Sequence, residues 1–193
     1  TTDDCIAVGY RALYGASGAK VTGNYNIAIG NYALDAVTTG AENVAIGYQA
    51  GTSIIAASGS VAVGHRALSA EDGSAGSTAV GAYALEDENV ASANNTAVGY
   101  KSALNLTTGT DSVYVGYQAG GSGAITGVDN TVVGKTAGFS LIGGANNALF
   151  GKNAGYYLTS GSSNVLVGHS AGLNMTEGTN NIAIGHGALD SAN

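Results

Sequence analysis

The sequence predicts an all-β fold, a β-solenoid in which one short unit is stacked about eleven times. Three observations carry this reading. A string apolar–x–apolar–Gly recurs over nearly all of the 193 residues. Its glycines return at intervals of 17 or 18 after a first interval of 21. The residues before each glycine are apolar at spacing two and mostly β-branched, which suits strands and not helices.

The repeat glycines are Gly9, Gly30, Gly47, Gly64, Gly81, Gly99, Gly116, Gly134, Gly151, Gly168 and Gly185. Glycine at a fixed place in every copy points to a bend that needs positive φ or a close backbone approach. Four residues earlier stands Asn or Ser, from Asn26 and Asn43 to Asn164 and Asn181, with Cys5 as the exception. Such side chains suit a corner because they bond nearby backbone groups. The residue just before the glycine is always Val, Ile or Phe. Three residues after it stands Ala, except at Ser102, where the pattern reads as the start of a one-residue insertion. The next position is mostly Leu (Leu34, Leu68, Leu85) or Gly (Gly51, Gly138, Gly155). A second apolar residue follows in many copies (Val37, Ile54, Leu106, Leu141, Leu158, Met175).

Each unit therefore reads as a short strand, a tight bend, a shorter second segment and a loop home. Stacked about 4.8 Å apart, eleven coils make a rod of roughly 50 Å. A 17-residue turn measures at most about 56 Å around, so the interior is thin. In Asn43-Val44-Ala45-Ile46-Gly47 the branched residues take one face and alanine the other. With both faces apolar, the strand is expected to be buried on both sides. The alanine column (Ala7, Ala28, Ala45, Ala62, Ala79, Ala97, Ala183) is accordingly expected at a seam between copies.

Composition excludes several classes. The net charge is −7 and only 10% of residues are charged, with the six basic residues scattered, so no nucleic-acid partner is expected. A single cysteine, Cys5, rules out an internal disulfide framework. No apolar run is long enough for a helical membrane span. The 45% apolar content argues against disorder.

Units such as Asn43-Val44-Ala45-Ile46-Gly47-Tyr48-Gln49-Ala50 and Asn95-Thr96-Ala97-Val98-Gly99-Tyr100 resemble the head repeats of trimeric autotransporter adhesins. They resemble still more closely the repeats of phage tail-fibre-like proteins. The likeness runs from Ile6 to Leu189. It implies a left-handed β-roll assembled as a parallel homotrimer, part of a fibre that reaches a cell surface and so is extracellular or on a virion. The 17-residue period is longer than in the adhesin heads, and phage fibre and bacterial adhesin both stay open.

Candidate chemistry is sparse. His65, His169 and His186 share the position after the glycine and are read as exposed column members, because no carboxylate joins them as a metal ligand. Glu71-Asp72 and Glu86-Asp87-Glu88 read as solvated acidic loops, without the motif of a calcium-binding roll. Tyr10, Tyr48, Tyr100 and Tyr117 form a column that either stabilises neighbouring coils or supplies a glycan-binding surface. Thr38-Thr39 and Thr107-Thr108 hint at an ice-binding array that adjacent coils do not continue. A left-handed β-helix acyltransferase would repeat its hexad on three faces, whereas here the apolar-Gly hexad occurs once per coil.

The sequence reading is a single repeat domain, 1–193, part of a longer fibre or a subunit that stacks end to end. Its expected role is structural and adhesive, with no enzymatic activity and no cofactor or metal. Its expected partners are itself and a cell-surface glycan or protein receptor. A glycan- or ice-binding module is the alternative.

Overall fold

The computed structural model describes residues 4–70, 76–88, 94–121 and 123–190. It is a β-solenoid of eleven three-residue strands: β1 (Ile6–Val8), β2 (Ile27–Ile29), β3 (Val44–Ile46), β4 (Val61–Val63), β5 (Thr78–Val80), β6 (Thr96–Val98), β7 (Val113–Val115), β8 (Thr131–Val133), β9 (Ala148–Phe150), β10 (Val165–Val167) and β11 (Ile182–Ile184). They form one parallel sheet in chain order, each strand paired with the next coil's without slippage. The long first interval holds a short 3₁₀ turn, Ala16–Gly18.

After most strands the described chain makes two tight turns. In the third coil Ala50 N–H closes the first onto Gly47 O at 3.3 Å, and Ile54 N–H closes the second onto Gly51 O at 3.2 Å. Gly47 and Gln49 N–H donate back to the coil below, and Gly51 N–H donates to the coil above. Axial hydrogen bonding thus continues round the bends, so few backbone groups need water or side-chain partners.

The repeat glycine meets both demands that the sequence suggested. Gly116 has φ 138°, and a Cβ built there would lie 2.5 Å from Gly134 O. The obstruction is the next coil: at Gly185, in the last coil, nothing lies within 4 Å.

The strand faces are the reverse of the expectation. The alanine column points into the coil, with Ala28, Ala45, Ala62, Ala79 and Ala97 fully buried. The branched residues flanking it point outward and are half-buried or exposed, as at Ile29, Ile46, Val80 and Val98. Alanine is therefore no seam between copies. It is interior because facing walls of so thin a coil leave room for a methyl, while the wider outer face takes the branched side chains.

Where the strand centre is larger, the coil compensates. Tyr114, Val132, Leu149 and Leu166 replace alanine in four consecutive coils, and each of these coils has Gly120, Gly138, Gly155 or Gly172 in its second turn. A Cβ at Gly120 would meet the Tyr114 ring at 2.6 Å, and one at Gly172 would meet Leu166 Cδ1 at 2.7 Å. Three coils with alanine in the strand place Leu34, Leu68 or Leu85 there, buried and with φ near 50°, while the Ala45 coil has Gly51 and the Ala97 coil Ala103. A left-handed leucine costs about 1–2 kcal/mol, offset by the interior volume it fills. Ser102 belongs to this scheme without any insertion: it is buried in the alanine position and donates to Tyr114 O at 2.9 Å.

Replacing Gly116 by Val is expected to destabilise the rod by at least about 2 kcal/mol, through the positive φ and the carbonyl 2.5 Å away. The equivalent Gly185→Val should cost less, because it meets no neighbour. Thermal melts of the two variants check the difference.

Candidate functional site

Among the described residues no cavity opens into the coil and no three His, Cys, Asp or Glu side chains gather as a metal site. No helix is long and apolar enough to cross a membrane. The residues that carry chemistry lie in columns, one inside the coil and several on its surface.

The inner column is an amide ladder. Asn26, Asn43, Asn130, Asn147 and Asn164 are buried. The Asn147 Oδ1 accepts from Asn164 N–H at 3.0 Å, and its Nδ2 donates to Gly161 O at 2.9 Å and Asn130 Oδ1 at 3.1 Å. Each rung thereby ties its strand to the loop of its own coil and to both neighbouring coils. The sequence suggested a local corner bond; the bonds run between coils. Cys5 takes the first rung, with its Sγ accepting from Asn26 N–H at 3.4 Å.

Serine rungs break the amide chain. Ser77 and Ser112 accept the next coil's N–H but offer no Oδ1 to its amide. At both breaks the serine's own coil supplies an interior polar side chain. Glu88 Oε1 accepts from Asn95 Nδ2 at 2.7 Å. The Tyr114 hydroxyl lies toward Ser112 and Asn130 without completing a well-formed hydrogen bond. Burial pushes the Tyr114 phenol up to about 12.

Glu88 is therefore not part of a solvated loop. It occupies the inward place that Leu106 and Leu141 take in other coils, fully buried. Its Oε2 has no partner among the described residues. Desolvation pushes its carboxyl from 4.5 up to about 7, against smaller lowering effects of Asn95 and Ser77. Glu86 turns outward and pairs with Arg66 at 2.9 Å. Glu71-Asp72 lie outside the described residues.

On the surface the tyrosine column is longer than its spacing indicated. Tyr10, Tyr32, Tyr48, His65, Tyr83, Tyr100 and Tyr117 form one unbroken ladder, with successive ring centroids 5.0 to 6.0 Å apart. Tyr32 and Tyr83 stand one residue later than the others. Their left-handed backbone, at φ 62° and 61°, accompanies a side chain packed beside the column. The rings spend much of their face area on one another, as in Tyr100–Tyr117, stacked at 16°. Lys101 and Lys135 ammonium groups lie over them. Both geometry and cations favour a stabilising ladder, with its outer margins left for contacts.

His169 and His186 stack at 5.0 Å, interplanar angle 6°. The hydroxyls of Thr38 and Thr107 each donate to a carbonyl of the next coil. Those two threonine hydroxyls are thereby drawn into the axial ladder and away from an ordered-water surface.

Neither a family profile, a curated protein nor a solved structure matches this chain.

Two measurements check the ladder. Asn147→Ala strands the Gly161 carbonyl and the Asn164 amide, and is expected to cost about 2–4 kcal/mol in denaturant titrations. The Glu88 carboxyl binds its proton more tightly folded than unfolded. Stability is therefore full below about pH 4.5 and falls as pH rises through about 7, by about 3 kcal/mol. Melts between pH 5 and 8 should show that slope in the wild type and lose most of it in Glu88→Gln. The pair Ser77→Asn with Glu88→Leu, which restores the amide rung, should melt highest at pH 8.

Proposed function

We propose that the chain is a structural segment of a fibre or adhesin, assembled as a parallel homotrimer and presenting a rod-like surface that attaches to cells, from a virion or a cell surface. The observation that supports this best is the filled, unbroken stack: eleven strands in one register over an interior closed by fully buried side chains. Such a molecule supplies length and stiffness through nearest-neighbour contacts, and offers no concavity for a small substrate among the described residues.

A carbohydrate or protein receptor fits the surface better than an ice plane does, because the hydroxyls of Thr38 and Thr107 are engaged by backbone carbonyls. Catalysis of the acyltransferase type finds little support. The stacked His169 and His186 face each other, and no three potential ligands gather among the described residues.

A fluorescently labelled rod should co-sediment with whole bacterial cells, and release by added cell-wall polysaccharide or by protease treatment of the cells would tell a glycan receptor from a protein one. Equal recovery with and without cells, over a panel of Gram-negative and Gram-positive surfaces, would remove the attachment role.

A further inference from the structure

The outward face of the sheet has a charge order that the interior columns do not explain. Its centre is the two outward strand columns, one holding Val98 and Val115 and the other mostly Val and Ile with Thr78, Thr96 and Thr131 among them, and none of the thirteen acidic residues stands in them or in the column just after the repeat glycine. One margin, five residues before the repeat glycine, carries Asp4, Glu42, Asp111 and Asp129, all exposed, and no base. The opposite margin, one and two residues after the glycine, carries Arg11, Arg66, Lys101, Lys135 and Lys152, five of the six basic residues, and no acid. An apolar strip thus runs the length of the rod between an acidic edge and a basic edge.

We propose that a second copy of this chain docks on this face, the rods parallel and in register, the acidic margin of one against the basic margin of the other. It rests on the reading of the chain as an assembled fibre segment and names the surface that does the assembling. Size permits it. About 50 Å of stack by about 13 Å of strand gives roughly 600 Å² of face per copy, so a pair covers about 1,200 Å², the lower end of stable interfaces. A single apolar face of that size is large for a monomer.

Charge selects the occupant and its direction. Copies of net charge −7 repel, and this face, whose basic edge carries Lys101, Lys135 and Lys152 beside the internally paired Arg11–Asp35 and Arg66–Glu86, is where they approach at least cost. Rotation about an axis along the rod sets acidic edge against basic edge at the same height, where Asp129 and Lys135 belong to one coil. Reversing one rod would set acid against acid. A ring of three would instead divide the face, the basic edge meeting one neighbour and the acidic edge the next, which is a heterologous contact and not the face-to-face pair.

Light scattering of the purified chain decides it. The wild type is expected at two or three times 18.8 kDa at micromolar concentration. Val98→Glu/Val115→Glu should run at 18.8 kDa with its β circular dichroism retained. Asp129→Lys and Lys135→Asp should each weaken association at least about 10-fold at low salt, and the double exchange should restore it. A wild-type monomer overturns the proposal, as does an assembly indifferent to the Val98/Val115 pair. Single exchanges without effect, or a double exchange that fails to recover, overturn the parallel pairing. The attachment role is scored separately: an assembled rod that ignores cells leaves this interface standing, and a monomer that binds cells does the converse.

Discussion

Hydrogen bonding along the rod axis is the interaction from which the other features follow. A coil of 17 residues encloses only a narrow column of side chains and cannot pair its strand within itself, so its backbone must be satisfied by the coils above and below. That requires every copy to hold the same register, and the register holds only where backbones approach closely at the bend. The repeat glycine exists for this approach, since a Cβ at Gly116 would sit 2.5 Å from the next glycine's carbonyl. The Asn rungs serve the same axis with side chains, converting a corner that would otherwise leave buried donors into runs of linked amides interrupted at the serine rungs.

Departures from regularity are informative because the frame around them is so repetitive. Larger strand centres coincide with glycine in the second turn, which leaves them the room a Cβ would take. Where a serine rung lies below an asparagine, at Ser77 and Ser112, an interior Glu88 or Tyr114 returns polarity in place of the missing asparagine oxygen; Ser60, which lies below another serine, has no such companion. In both cases two residues of one coil, from two to eleven positions apart, change together for a local reason. The result at Glu88 is a carboxyl whose ionisation weakens the middle of the rod, an unavoidable cost of filling an apolar place with an acid.

Much of this was legible in the residues. Period, strands, parallel stacking, glycine geometry and the Leu-or-Gly alternation all left columns in the alignment of the repeats. The direction of the strand faces did not. Val44 and Ala45 are both apolar, so hydrophobicity cannot say which points inward; only the narrowness of the coil does, and side-chain volume was the signal available. Tyr32 and Tyr83 escaped notice for a different reason, a left-handed residue that realigns a side chain with its neighbour's column. Glu88 looked like one of three acids in a loop. Its place in the inward column, seven residues after Gly81, marked it as the buried one.

Because each coil satisfies its hydrogen bonds with its two neighbours alone, length is free to vary. Removing one interior coil, or copying it, brings the same glycine and strand columns together again and keeps the backbone ladder continuous. The 17- and 18-residue intervals, and the single one of 21, show that loops absorb small differences without disturbing the strand register. A gene encoding such a rod can therefore lengthen or shorten its product by recombination between its own repeats. The span of the finished object is set by copy number, while the chemistry of its surface evolves column by column.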